Sequence, residues 1–158
     1  MKTDELLNEI EEVFPLVEKP KGIDLSFHKD DCFQCEALRK DLEKYEGNSL
    51  PEEGLRWIYD DMSCLSSKAW LWVMPFYLKY CLANESTYGS TETEFLIYNL
   101  GPEEKYKDET KQRLGLFKPK QIQCLIHFLE WCSANEHWSE YCPDEIDRAI
   151  KFLSKELA

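Results

Sequence analysis

The chain has 158 residues, of which 43% are hydrophobic and 13% aromatic, and its formal net charge is −12. Such a length and apolar content predict one sizeable core, so we expect a single helical domain over residues 1–158. The acidic balance argues against nucleic acid or anionic membrane partners, and no apolar run reaches the roughly 20 residues that span a bilayer.

The first third of the chain predicts two amphipathic helices. The first has Thr3 as its N-cap, acidic residues in its first turn and an apolar face, and it ends where the first proline occurs. Residues 15–29 contain two prolines and a glycine, which predict a connection that crosses the fold. The second helix is expected to begin at Asp30 or Asp31 and to stop near Gly47.

The middle third contains the most apolar stretch of the chain. Pro51 opens a predicted helix that ends near Ser63. Residues 69–82 are apolar on nearly every side, which predicts the central helix of the fold, and Pro75 is expected either to kink it or to lie in its first turn. A short helix is predicted to follow with Thr91 as its N-cap.

The last third predicts two further helices after a polar segment. Residues 102–116 alternate in charge without apolar periodicity, and we interpret them as a solvated loop. Helices are then expected from Pro119 and from Pro143. Because no alternating strand pattern occurs anywhere, the predicted fold is all-α, a single compact bundle of six or seven helices.

Three potential metal ligands lie close together in the sequence. His28, Cys32 and Cys35 have the pattern His-x-x-x-Cys-x-x-Cys at the predicted start of the second helix. Two thiolates and an imidazole suit zinc, and the fourth ligand would be His137 or Cys142, brought in by the fold. Since a second closely spaced cysteine pair is missing, zinc is an alternative here and no cofactor is the leading expectation.

Two other interpretations of the same residues remain open. In a redox or nucleophilic role, Cys32 would profit from the positive end of the helix dipole, although Asp30 and Asp31 oppose thiolate formation. In a purely structural role, Cys35 belongs to the core, Cys32 is partly buried and His28 packs against the loop. The seven cysteines are an odd number in mostly apolar surroundings, so we expect reduced thiols and a cytoplasmic protein.

Catalytic motifs do not occur in the sequence. It contains no phosphate-binding glycine loop, no Gly-x-Ser-x-Gly and no His-Glu-x-x-His. His127 lies within an apolar run and is expected at the edge of the core. The motifs therefore give no evidence of an enzymatic activity, and a cleft lined by carboxylates from distant segments stays open.

The charge distribution favours a protein-binding module. Residues 1–62 carry 17 acidic and 8 basic side chains, a net of −9, whereas residues 63–158 carry 14 and 11, a net of −3. Such a surface would steer a basic partner, and the most concrete form of this hypothesis is an inhibitor or immunity-type protein that neutralises a toxin. A structural subunit of an assembly is the further alternative. The predicted contact residues are Glu11, Glu12, Asp30, Asp31, Glu52, Glu53, Asp60 and Asp61, with Trp57 and Trp138 as exposed aromatic anchors.

Several short motifs resemble those of a known protein family. They are the His28, Cys32 and Cys35 pattern, the segment Pro75-Phe76-Tyr77-Leu78, and Phe117 and Lys118 before the helix start at Gln121. In this order they resemble a family of small bacterial all-helical proteins of unknown function, over roughly Leu6 to Leu153. The resemblance implies no known activity, and it singles out the histidine and both cysteines, together with Pro75 and Tyr77, as positions of interest.

Overall fold

Helices make up the architecture of the chain. The computed structural model describes residues 1–28, 32–85 and 91–156, and within these ranges it contains nine α-helices and no β-strand. The helices are α1 (Thr3–Val13), α2 (Phe33–Glu43), α3 (Glu52–Ile58), α4 (Ser67–Ala83), α5 (Thr91–Leu100), α6 (Lys107–Arg113), α7 (Pro119–Ala134), α8 (Glu136–Tyr141) and α9 (Pro143–Glu156). The all-α class predicted from the sequence is confirmed.

The predicted number of six or seven helices is too low, because nine occur in the described part of the chain. Residues 102–116, predicted as a solvated loop, contain α6, whose buried positions Thr110 and Arg113 are polar and therefore gave no apolar periodicity. The short helix α8 is not predicted by the sequence pattern, and it begins where the Asn135 side chain accepts hydrogen bonds from two main-chain N–H groups. Helix α3 is also shorter than the predicted third helix. It ends at Ile58, and the chain continues as a 3₁₀ helix over Tyr59–Cys64.

Helix α4 lies at the centre of the fold, as the sequence predicts. Trp70, Trp72 and Tyr77 are fully buried in it, and Pro75 lies in its interior, not in its first turn. The polar atoms of the three aromatic side chains donate to main-chain carbonyls of neighbouring segments, those of Met62, Asn48 and Glu92 respectively. Such bonds let large amphipathic rings occupy a core without an unpaired donor.

A single hydrophobic cluster runs from Leu6 in α1 to Leu153 in α9. Helix α7 packs against both terminal helices, and α5 packs against α9. Within the described ranges, none of the helices combines the length and the apolar character needed to cross a bilayer.

A close helix contact occurs where α5 ends. A β-carbon placed on Gly101 would lie 2.9 Å from the main-chain nitrogen of Ala149 in α9 and 3.0 Å from its Cα. Only glycine allows the backbones to approach so closely. The same contact positions the Arg148 side chain, whose Nε donates a hydrogen bond to the Gly101 carbonyl at 2.7 Å.

The connection after α1 is fixed to the middle of the chain by an isolated antiparallel bridge between Ser26 and Leu65. The Phe27 N–H donates to the Cys64 carbonyl at 2.8 Å, and the Ser66 N–H donates to the Leu25 carbonyl at 3.0 Å. The 3₁₀ helix over Tyr59–Cys64, which ends beside this bridge, also packs against α2. The bridge therefore brings residue 28 close to the start of α2.

Candidate metal centre

The three ligands predicted from the cysteine motif lie together. One donor atom from each of His28, Cys32 and Cys35 lies within 4.8 Å of the others, and Cys35 Sγ is 3.6 Å from His28 Nδ1. A tetrahedral zinc ion with bonds of about 2.3 Å to sulfur and 2.0–2.1 Å to nitrogen separates S and N by about 3.6 Å and two sulfurs by about 3.8 Å. The His/Cys cluster, as we call these three residues, would therefore need only a small contraction to bind zinc.

The start of α2 explains the arrangement of the two thiols. Cys32 is the N-cap of this helix, and its Sγ accepts a hydrogen bond from the Cys35 N–H at 3.4 Å. That bond and others to Cys32 lower its thiol pKa, because they stabilise the thiolate. Cys35 is buried, Cys32 is half-buried and His28 is exposed, so the cluster reaches from the core to the surface.

Cys64 is a third cysteine next to this cluster, and the sequence analysis did not identify it. The Cys35 Sγ lies 3.7 Å from the Cys64 carbonyl, and the two thiols also interact. Burial, with smaller effects from Cys35, raises the pKa of Cys64 to about 12. Burial likewise raises the pKa of Cys35, with a further contribution from its hydrogen bond with Cys32. A metal ion would have to displace these protons.

His137 and Cys142, the predicted sources of a fourth ligand, do not belong to the His/Cys cluster. His137 lies in α8, where its ring stacks on Tyr141 with 5.5 Å between centroids. Cys142 ends the same helix and is buried, and burial together with nearby Glu145 raises its pKa to about 11. Cys64 also lies outside this group of three donors, but it is in contact with Cys35.

Arg113 provides a positive charge next to the cluster. Its guanidinium lies 4.2 Å from the Phe27 ring centroid, and its Nη2 donates to the Ser63 carbonyl at 2.8 Å. Cys35 and Cys64 are close enough to contribute electrostatically to the pKa of Arg113, which burial lowers. By the same interaction the cation favours thiolates at the cluster. Sequence reasoning missed this residue because it lies in the segment predicted as a loop.

Residues predicted to contact a basic partner are distributed over two regions. In α1, Glu11 and Glu12 are exposed, and Glu11 pairs with Lys79 at 3.7 Å. Asp30 and Asp31 lie outside the described residues. Trp138 is only 3% exposed, so its prediction as an exposed anchor is wrong; it packs inside the fold from the short helix α8, which the sequence did not predict.

The second region is the surface that we call the Trp57 face, formed by Glu52, Glu53 and Trp57 of α3 and by Asp60 and Asp61. Trp57 is 57% exposed, and both glutamates and Asp60 are exposed as well. Asp61 is half-buried, and burial followed by the neighbouring Asp60 raises its pKa. An exposed indole among carboxylates is a combination that a basic protein surface can recognise.

The fold and the His/Cys cluster define an all-α protein with a candidate site for a soft metal ion. The family of unknown function DUF6714 matches residues 2–152, and the chain therefore belongs to that family. The resemblance inferred from the sequence motifs is confirmed at this level. No curated protein and no solved structure matches the chain.

Proposed function

We propose that this protein binds a zinc ion through His28, Cys32 and Cys35. The observation that carries the proposal is the convergence of the three donor atoms within 4.8 Å, with the S···N separation of 3.6 Å that a tetrahedral ion requires. Two sulfurs and an imidazole are soft or borderline ligands, which favour zinc over magnesium or calcium.

The fourth ligand decides what kind of zinc site this is. If Cys64 completes the set, the four protein ligands form a closed site, which is typical of structural zinc. If Cys64 keeps its proton, the fourth position is open to water, as in catalytic zinc sites. The interaction between the Cys64 and Cys35 thiols supports the closed site, although the Cys64 sulfur would have to move toward the other three donors. The fixed charge of Arg113 would offset the extra thiolate.

Metal analysis of the purified protein tests the proposal. We expect one zinc per chain after purification under reducing conditions, and a thiolate-to-cobalt absorption band after replacement with Co²⁺. Cys35→Ser should abolish both signals, whereas Cys132→Ser is the matched control, because Cys132 is an equally buried thiol outside the cluster. Absence of metal from the wild-type protein, together with no cobalt band on titration, would refute zinc binding.

Cys64→Ser separates the closed site from the open one. A closed site predicts weaker zinc binding and a changed cobalt spectrum, since one of four ligands is lost. An open site predicts an unchanged spectrum, because the same three ligands and water remain. His28→Ala is the complementary variant, and it should change the spectrum in either case.

A second function, protein binding by the Trp57 face, is favoured by a separate observation. Trp57 is large and exposed, Glu52 and Glu53 are exposed in the same short helix, and the exposed Asp60 follows three residues later. The whole chain carries a charge of −12. Lys44 lies 5.8 Å from the Trp57 ring centroid and pairs with Glu53 at 3.7 Å, so a basic partner would replace an existing cation. Such a partner, for example a basic toxin, would be steered by charge and anchored by the indole.

The Trp57 face is tested with a panel of basic ribonucleases as probes. We expect binding at low salt that weakens at physiological salt, and a loss of affinity of tenfold or more in Trp57→Ala, as for an aromatic anchor. Tyr141→Ala is the control, since Tyr141 is similarly exposed elsewhere, in α8. Equal binding by both variants and the wild-type protein would show that the Trp57 face is not the contact surface.

A further inference from the structure

A cavity of about 630 Å³ lies beside the His/Cys cluster. Its wall combines residues of α5, α6 and α9 with His28, which places it between elements that are far apart in the sequence. The volume is within the range of small-molecule sites in proteins, about 300–1,000 Å³. The cavity is therefore large enough for a ligand, and its lining determines which one.

Two buried polar atoms of the cavity residues lack a partner. In the described part of the chain only three buried side-chain nitrogen or oxygen atoms make no hydrogen bond, and Arg113 Nε and Glu145 Oε2 are two of them. Both residues line this cavity, and the Arg113 side chain is only 5% exposed. Since buried polar groups are almost always paired, two orphans at one cavity call for an explanation. One is a donor from a basic side chain and the other an acceptor from an acidic one.

The rest of the wall repeats this mixture of charges. Arg148 adds a second guanidinium, held in place by the Gly101 carbonyl. Glu103 and Glu109 add two carboxyl groups, of which Glu109 lies 3.4 Å from Arg113. A simple anion would meet these carboxyl groups and a simple cation would meet the guanidinium groups. A ligand that carries both charges would find a partner for each.

We propose that this cavity binds a small zwitterion of the class of α-amino acids and short peptides. The ligand carboxylate would bind to Arg113 and Arg148, because guanidinium groups match carboxylates in geometry and charge. The ligand ammonium would bind to Glu145. Since both unpaired atoms are shielded from solvent, the Arg113 and Glu145 side chains would turn slightly toward the ligand. The proposal does not require a bound zinc ion, although His28 and Arg113 belong both to the cavity wall and to the surroundings of the His/Cys cluster.

The proposal is tested by calorimetric titration of the full-length protein with free amino acids and with dipeptides, in the presence of a chelator. N-acetylated and carboxamide derivatives of the ligands that bind serve as probes that lack one charge. Glu145→Gln removes the proposed ammonium partner with little change in shape, and Arg148→Gln removes a carboxylate partner from an exposed position. Glu140→Gln is the matched control, because Glu140 is exposed and does not line the cavity.

We expect one binding site per chain for a free amino acid or a dipeptide. The class that binds more tightly, free amino acids or dipeptides, is the class of ligand that the cavity selects. Glu145→Gln and Arg148→Gln should each weaken binding about tenfold or more, the loss of one charge-assisted hydrogen bond, while Glu140→Gln binds as wild type. The proposal is overturned if no zwitterion binds at millimolar concentration, if derivatives with one charge bind equally well, or if both cavity variants bind as wild type. The chelator keeps these outcomes separate from those of the zinc experiments.

Discussion

Alkaline pH is expected to destabilise this fold steeply, because its core contains protonated thiols. Cys81 and Cys132 are fully buried. Burial raises the pKa of Cys81 from 9.0 to about 12, and it raises the pKa of Cys132 well above the ordinary value. In the unfolded chain both thiols titrate near their ordinary pKa. The stability that they contribute is therefore fully present below about pH 9 and is lost as the pH rises toward the folded pKa.

The expected size of the effect follows from proton linkage. Between the unfolded and the folded pKa, each such thiol lowers the free energy of unfolding by about 1.4 kcal/mol per pH unit. Cys81 and Cys132 together give nearly 3 kcal/mol per pH unit, roughly a fifth to a half of the total stability of an ordinary domain. Burial also raises the pKa values of Cys64, Cys124 and Cys142, which act in the same direction.

Urea unfolding followed by tryptophan fluorescence measures this dependence. The titrations would be made between about pH 7 and pH 10 with a non-thiol reductant and a chelator, so that neither disulfides nor metal intervene. Cys81→Ala or Cys132→Ala should reduce the alkaline slope by about 1.4 kcal/mol per pH unit, whatever its effect at neutral pH. Cys32→Ala should not reduce it, since the pKa of Cys32 is lowered in the fold. A flat profile above pH 9, or an unchanged slope in both core variants, would refute the reasoning.

Two further substitutions test the packing of the core. Tyr77→Phe removes the hydrogen bond from the tyrosine hydroxyl to the Glu92 carbonyl. Because that carbonyl still accepts its helical hydrogen bond within α5, we expect the free energy of unfolding to fall by about 0.5–1.5 kcal/mol and the Tm by roughly 1–6 °C. The exposed Tyr106→Phe is the control, and an equal Tm for both variants would contradict the role of Tyr77. Gly101→Ala places a Cβ 2.9 Å from Ala149 N and should lower the free energy of urea unfolding by about 1–3 kcal/mol; unchanged stability would show that α9 moves aside freely.

The helices with apolar faces were predictable from the sequence, whereas those with polar inner faces were not. The apolar, aromatic stretch predicts helix α4, and in the structure this helix continues through Pro75. Helix α6 was missed because it buries Thr110 and Arg113, which a periodicity of apolar residues does not register. Helix α8 has only six residues, too few for such a pattern to develop. Burial of Trp138 depends on that helix, so its wrong prediction has the same origin.

The candidate metal centre was partly predictable. His28, Cys32 and Cys35 are close in sequence, and a helix capped by Cys32 brings the two cysteines together by its own geometry. Cys64 and Arg113 reach the same place only through tertiary packing, and nothing near them in the sequence indicates a site. The predicted fourth ligands His137 and Cys142 had an appropriate chemistry, but the fold places them in another region.

The isolated bridge between Ser26 and Leu65 has a consequence for how an ion would enter the centre. Ordering a flexible segment costs about 1–2 kcal/mol per residue in backbone entropy. Here the bridge and the packed core order the segment before residue 28 when the chain folds. In small zinc fingers, by contrast, the ion itself drives folding. We therefore expect this protein to stay folded without zinc, and metal exchange to be a local event at the exposed edge formed by His28 and Cys32, reversible without unfolding.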